Sequence, residues 1–280
     1  MGAGVNRFAC RLLVLLGACF APAAAADPLP LTQLDFKVPG TQTGDLPANH
    51  ARSASECRAC HGGYSPETEP YATWAGSLMA LGGRDPLFYA QMTTANQDVA
   101  NVGSFCLRCH VPVAVGTGHV AQANGSTLNA IDQEGVSCHL CHTMVDPQYQ
   151  SGSSPPEDLS ILAALDEVPG YFGNAMFVLD PQDRRRGPRA ESAPPHQSLV
   201  SPFHRRSAMC GTCHDVGNVA TTRQPDGSWR YNLLNAPAPD ANPQAQFPLE
   251  RTYTEWKLSA FAAGGSAPIS RLAKAKGDRS

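Results

Sequence analysis

Cys138-His139-Leu140-Cys141-His142 is a Cys-x-x-Cys-His segment, and three more stand in the chain: Cys57-Arg58-Ala59-Cys60-His61, Cys106-Leu107-Arg108-Cys109-His110 and Cys210-Gly211-Thr212-Cys213-His214. In such a segment two thiols face one way and can form thioethers with the two vinyl groups of one haem. The next residue, His, reaches the iron from the same side. Zinc fingers separate their cysteines from their histidines by about a dozen residues, because one tetrahedral ion is gripped from two elements. Here every His is adjacent to its second Cys. A redox dithiol or a disulfide explains the cysteine pair and leaves the repeated His unexplained. The reading is four covalent haem c groups, attached through Cys57, Cys60, Cys106, Cys109, Cys138, Cys141, Cys210 and Cys213, with His61, His110, His142 and His214 as proximal ligands.

The cysteine count fits that reading. Of ten cysteines, eight lie in the four motifs and two, Cys10 and Cys19, lie in the first twenty residues. With 25 glycines and 24 prolines among 280 residues, long regular elements cannot fill the chain. The expected fold is mainly α, loop-rich and organised by haem, with little or no sheet. The porphyrins would supply apolar surface for burial that such a chain lacks.

The N-terminus reads as an export signal, residues 1–26. Arg7 and Arg11 make the positive region, 12–20 the apolar core, and Ala24-Ala25-Ala26 before Asp27 a cleavage site of small residues. The core is far shorter than the roughly 20 residues of a spanning helix. Leu16-Gly17-Ala18-Cys19 offers a second route, a lipoprotein box that would acylate Cys19 and tether the protein to a membrane. Both routes lead to the periplasm or otherwise out of the cytoplasm. Removing residues 1–26 takes away two arginines and no acids, moving the net charge from −3 to −5. That balance is not a nucleic-acid binder's, and it suits a cationic redox partner.

Residues 27–262 are then one tetrahaem domain, and 263–280 a flexible basic tail. The lead-in to the first motif, 27–56, is polar and rich in Pro and Gly. Tyr71 to Ala80 reads as one helix ended by Gly82-Gly83, and Asp85-Pro86 starts another, with Asp85 as N-cap and Phe88, Met92, Ala95 and Val99 on one face. A short helix is expected over 157–165, and Asp183-Arg184-Arg185-Arg186-Gly187-Pro188-Arg189 reads as a basic turn, solvated or set against propionates. The motifs are spaced by 49, 32 and 72 residues, which predicts that the middle pair lies close in space. Tyr71-x-x-Trp74-x-x-Ser77 has an echo, Tyr253-x-x-Trp256-x-x-Ser259.

Four haems need four distal ligands to close every iron. His50, seven residues before Cys57, is one candidate; His196 and His204, 14 and 6 residues before Cys210, are two more. Met79 is either an axial thioether or core filling. His119 is also available. His139 cannot easily turn back onto its own iron and reads as a surface or outer-shell residue unless it reaches a neighbouring haem.

Together these residues resemble a multihaem c-type cytochrome, and most closely the periplasmic tetrahaem cytochromes related to the electron acceptor of hydroxylamine oxidoreductase. The resemblance covers roughly residues 55 to 260. It is carried by the four motifs, by Glu134-Gly135-Val136-Ser137 leading into Cys138, by Trp74 and Ser77, and by Cys213-His214-Asp215-Val216. It implies a helical, loop-rich protein whose haems stack in close pairs and pass electrons between redox proteins or within a larger multihaem complex. In related larger cytochromes a His follows the Ser of the Trp segment, where this chain has Leu78-Met79 and Ala260-Phe261. An alternative function is therefore reduction or oxidation of a small nitrogen or sulfur oxyanion, or of hydroxylamine, at one five-coordinate haem. No Cys-x-x-Cys-Lys motif is present.

Overall fold

The computed structural model describes residues 26–191 and 193–262; the stretch read as an export signal, with Cys10 and Cys19, lies outside them except for Ala26, and so does all of the tail 263–280. The chain is mostly loop, with 35% helix and 11% strand. The helices are α1 Ala54–His61, α2 Pro70–Ala75, α3 Leu78–Leu81, α4 Pro86–Asp98, α5 Gly103–His110, α6 Pro112–Thr117, α7 Cys138–Thr143, α8 Asp158–Ala163, α9 Ser207–Gly211 and α10 Thr252–Leu258. Proline starts α2, α4 and α6, and glycine follows the last residue of α1, α2, α3 and α6.

The expected N-cap of α4 is present, Asp85 Oδ1 accepting from Leu87 N at 2.9 Å. The single helix expected from Tyr71 to Ala80 is two, α2 and α3, broken at Gly76-Ser77. Ser77 leaves the helical path and its hydroxyl accepts from Ala80 N, so the residue ends one helix by capping the next. Met92 of the apolar face of α4 is buried, and Phe88 packs beside it on the same core.

Sheet is small but present, as four two-stranded ribbons. β1 Met144–Val145 pairs antiparallel with β2 Val178–Leu179, and β3 Arg185–Gly187 pairs parallel with β4 Ser198–Val200. β5 Val216–Asn218 pairs antiparallel with β8 Phe247–Glu250, and β6 Thr221–Arg223 with β7 Trp229–Tyr231.

The main core gathers Leu107 of the second motif, Leu140 of the third, Ala208 just before the fourth, and Val111, Val113, Ala114, Val115, Phe177, Leu179 and Phe203. The lead-in 27–56 is not a free extension. Leu31, Phe36 and Val38 are buried with Met176 and Val219, while Leu46 enters the main core.

Candidate functional site

Three of the four motifs lie within helices, at the C-terminal ends of α1 and α5 and from the first residue of α7, and residues three and four apart on a helix share a face. Each therefore presents Cys, Cys and His on one side. The fourth begins in α9 and continues as a turn, with Cys213 N and His214 N both donating to Cys210 O. None of the eight motif cysteines is joined in a disulfide.

The motifs converge, in pairs other than those their spacing predicts. The thiol of Cys57 lies close to that of Cys138, and the thiol of Cys109 close to that of Cys213. The first motif thus meets the third and the second meets the fourth, while Cys141 lies near Cys210. The 32-residue spacing does bring α6, which directly follows the second motif, against α7. The contact with Cys138 pulls the Cys57 thiol down to about 7. Burial pushes Cys141 up to about 11.

Particular side chains fasten these pairs. Glu134, in the approach to the third motif, accepts from Ser53 Oγ at 2.6 Å and from Ala54 N at 2.7 Å, so it caps the first motif's helix from 80 residues away. Trp74 Nε1 donates to Val136 O at 2.8 Å. Gly135 has φ +70°, and a Cβ there would stand 2.6 Å from Met79 O, so only glycine fits this close approach. The two Tyr-x-x-Trp copies do the same job. Tyr71 lies beside Gly62 at the end of α1, under the Arg58 guanidinium, and Tyr253 lies flat against Gly211 of the fourth motif. Asp215 is 2% exposed and fastens the fourth motif to the start of α10 through Arg251 (3.0 Å) and Thr254 (2.5 Å).

Two proximal candidates have their rings set. His142 Nδ1 lies 2.7 Å from Arg186 O and His110 Nδ1 3.2 Å from Gly82 O. A ring N–H given to a carbonyl leaves Nε2 as the basic, metal-facing atom. Arg186 itself is buried, paired with Asp158 (2.6 Å) and Asp180 (2.7 Å). The basic turn is therefore not simply solvated: one of its arginines is a core residue whose carbonyl orients His142. His61, His142 and His214 are exposed and His110 is half-buried.

The distal candidates separate into two groups. His204 is brought beside the third motif, its ring 6.0 Å from that of His142 and nearly parallel, with Nε2 2.8 Å from Cys141 O and Nδ1 buried without a partner. Burial holds its imidazole down at about 4. His50 is buried against His139, ring centroids 5.0 Å apart, and Nε2 of His50 and both nitrogens of His139 lack hydrogen-bond partners. Burial lowers both rings, His139 to about 3. His139 is thus interior, against the expectation of a surface residue. His196 and Met79 are exposed, His196 with Nδ1 near Gln197 O and Met79 at the first turn of α3.

Asp183 completes a cluster that sequence reasoning missed: donor atoms of His50, His139 and Asp183 lie within 4.8 Å of one another. Two imidazoles and a carboxylate are a transition-metal donor set. Arg185 (2.5 Å) and Arg52 (3.1 Å) already hold Asp183, however, and their charges oppose a cation there. His119 was also undervalued, since its Nδ1 meets the buried Asp132 at 2.9 Å, the partner that orients a ligating imidazole. The Thr-x-His and Asn-x-x-Asp spacings that bring these groups together carry no distinctive signal on their own.

The residues present fit the group their motifs imply. Orphaned, buried imidazole nitrogens are costly unless something binds them. Large apolar side chains also stand exposed near the motifs, among them Leu78, Leu81, Leu87 and Leu258. Compared with protein-family models, with curated proteins and with solved structures, the chain matches none. Among the described residues no helix is long and apolar enough to cross a membrane.

Proposed function

We propose that this protein is an exported, periplasmic tetrahaem cytochrome c that passes electrons between redox partners. The observation that carries the reading is the convergence of four Cys-x-x-Cys-His segments, with Cys57 close to Cys138, Cys109 close to Cys213 and Cys141 near Cys210. Attachment points this close hold redox groups near enough for electrons to move between them. When bound, each haem supplies a one-electron iron couple.

The chain's own residues supply attachment, ligation and exclusion of water. The eight cysteines form the thioethers, and His61, His110, His142 and His214 bind iron. The carbonyls of Arg186 and Gly82 fix two of those rings and raise their basicity. His204 and His50 are the distal ligands best supported, because each keeps a buried nitrogen without a partner. The resemblance to the tetrahaem cytochromes related to the electron acceptor of hydroxylamine oxidoreductase agrees with this reading. So does a net charge that suits a cationic partner. Membrane attachment enters only through acylation of Cys19.

The test is to express the chain with haem-attachment machinery and count haem by pyridine haemochrome and intact mass. Four per chain, all low-spin by electron paramagnetic resonance, is expected. A folded, exported protein without haem refutes the proposal.

One observation favours a second reading, chemistry at an open iron. Among the described residues no ring packs against His214 as His204 packs beside His142. Reduction under carbon monoxide decides: a fourth-motif haem that binds it is open to substrates, and one that does not is a carrier haem.

A further inference from the structure

Helix α5 carries the second motif on one side and a different chemistry on the other. At about 100° per residue, Cys106, Cys109 and His110 fall in one arc, and Ser104 and Arg108 lie together on the opposite face. Those two line a cavity of about 460 Å³ with Thr32, Gln33, Lys37 and Gln42. It therefore lies away from the side on which the second motif's own thiols point.

Arg108 is 6% exposed. Its hydrogen bonds come only from Nη2, to Thr41 O at 3.0 Å and Ala175 O at 3.1 Å. Its Nε is buried without a partner, and so is Ser104 Oγ. The Phe177 ring lies under the guanidinium at 5.0 Å. Among the described residues no carboxylate forms an ion pair with Arg108. Asp166, the acid in the cavity wall, bonds Lys37 at 3.4 Å. A buried guanidinium without a counter-charge is unfavourable, and its free N–H fork matches the two oxygens of a carboxylate or tetrahedral anion.

We propose that this cavity is an anion site, in which Arg108 through Nε and Nη1, with the Ser104 hydroxyl as third donor, holds one small oxyanion or carboxylate. The anion comes from one of two sources: solution, or the propionate of a haem on a neighbouring motif, the latter source resting on the tetrahaem reading.

The experiment uses the haem-loaded, exported protein in a chloride-free buffer. Sulfate and acetate are titrated calorimetrically, and the haem propionate bands are read by resonance Raman, for wild type, Arg108→Met and Ser104→Ala. For a free anion, wild type binds sulfate or acetate at one site. Arg108→Met then weakens it at least about tenfold and Ser104→Ala severalfold. For a propionate, wild type takes up neither probe and both variants shift the propionate bands. Absence of binding together with unchanged bands overturns the proposal. Should Arg108→Met not fold, Ser104→Ala, which leaves the guanidinium and its backbone bonds in place, reads both arms. A protein that carries no haem still reports on the calorimetric arm, so failure of the tetrahaem reading is seen separately.

Discussion

The third and fourth motifs are chemically the same pentapeptide pattern in two physical settings. In the third, both variable residues are interior, His139 at 1% and Leu140 at 2% exposure, and Arg186 orients its His from a buried ion cluster. In the fourth the variable residues Gly211 and Thr212 are interior as well and the His is again exposed, but the first cysteine, Cys210, is exposed where Cys138 is half-buried, and support comes from Tyr253 against Gly211 and from Asp215. The difference lies in the ring: a backbone carbonyl fixes the third motif's His, and among the described residues none fixes the fourth's.

Breaking the hub of the third site has the largest expected effect. Arg186→Met leaves the buried Asp158 without its counter-charge, beside an Asp180 that keeps only Arg184, and denaturant unfolding should record a loss of about 3–5 kcal/mol. A loss below about 1 kcal/mol would mean that the cluster does not support this motif. Leu140→Ala should cost about 2–4 kcal/mol by cavity formation. Leu258→Ala, an exposed residue of the helix beside the fourth motif, should cost under about 0.5 kcal/mol in protein lacking haem. In loaded protein the Leu258 effect should grow if a porphyrin covers it, and equal values in the two forms argue that none does.

A spectroscopic change of intermediate size is expected from His204→Ala. One haem in four should turn high-spin in the electron paramagnetic resonance spectrum, whereas a fully low-spin spectrum removes His204 as a ligand. The smallest effect tests the link between the first and third motifs. Ser53→Ala deletes the hydroxyl that meets Glu134, and thermal unfolding should register about 1 kcal/mol.

How much of this was legible depended on whether the signal was local. The attachment segments are five-residue patterns, and the Asp85 cap sits next to the helix it starts; both can be read by inspection. The break between α2 and α3 was missed because Ser77 competes as a cap inside an otherwise good helical stretch. The strands run two to four residues, too short to show alternation, and so escaped a reading based on period. The Arg186 cluster joins residues 158, 180 and 186, and a run of arginines beside aspartates looks like any solvated turn until the chain has folded back. The sequence interval could not show the first–third and second–fourth approaches for a related reason: they join segments far apart in the chain, as Glu134 joins Ser53.

The Glu134 contact also sets an order in time. A chain made from its N-terminus presents Cys57 and Cys60 long before residue 134 exists, so the earliest thiols to emerge wait for the third motif's approach segment before their helix is complete. The first motif's helix is therefore completed only when about half of the 280-residue chain exists.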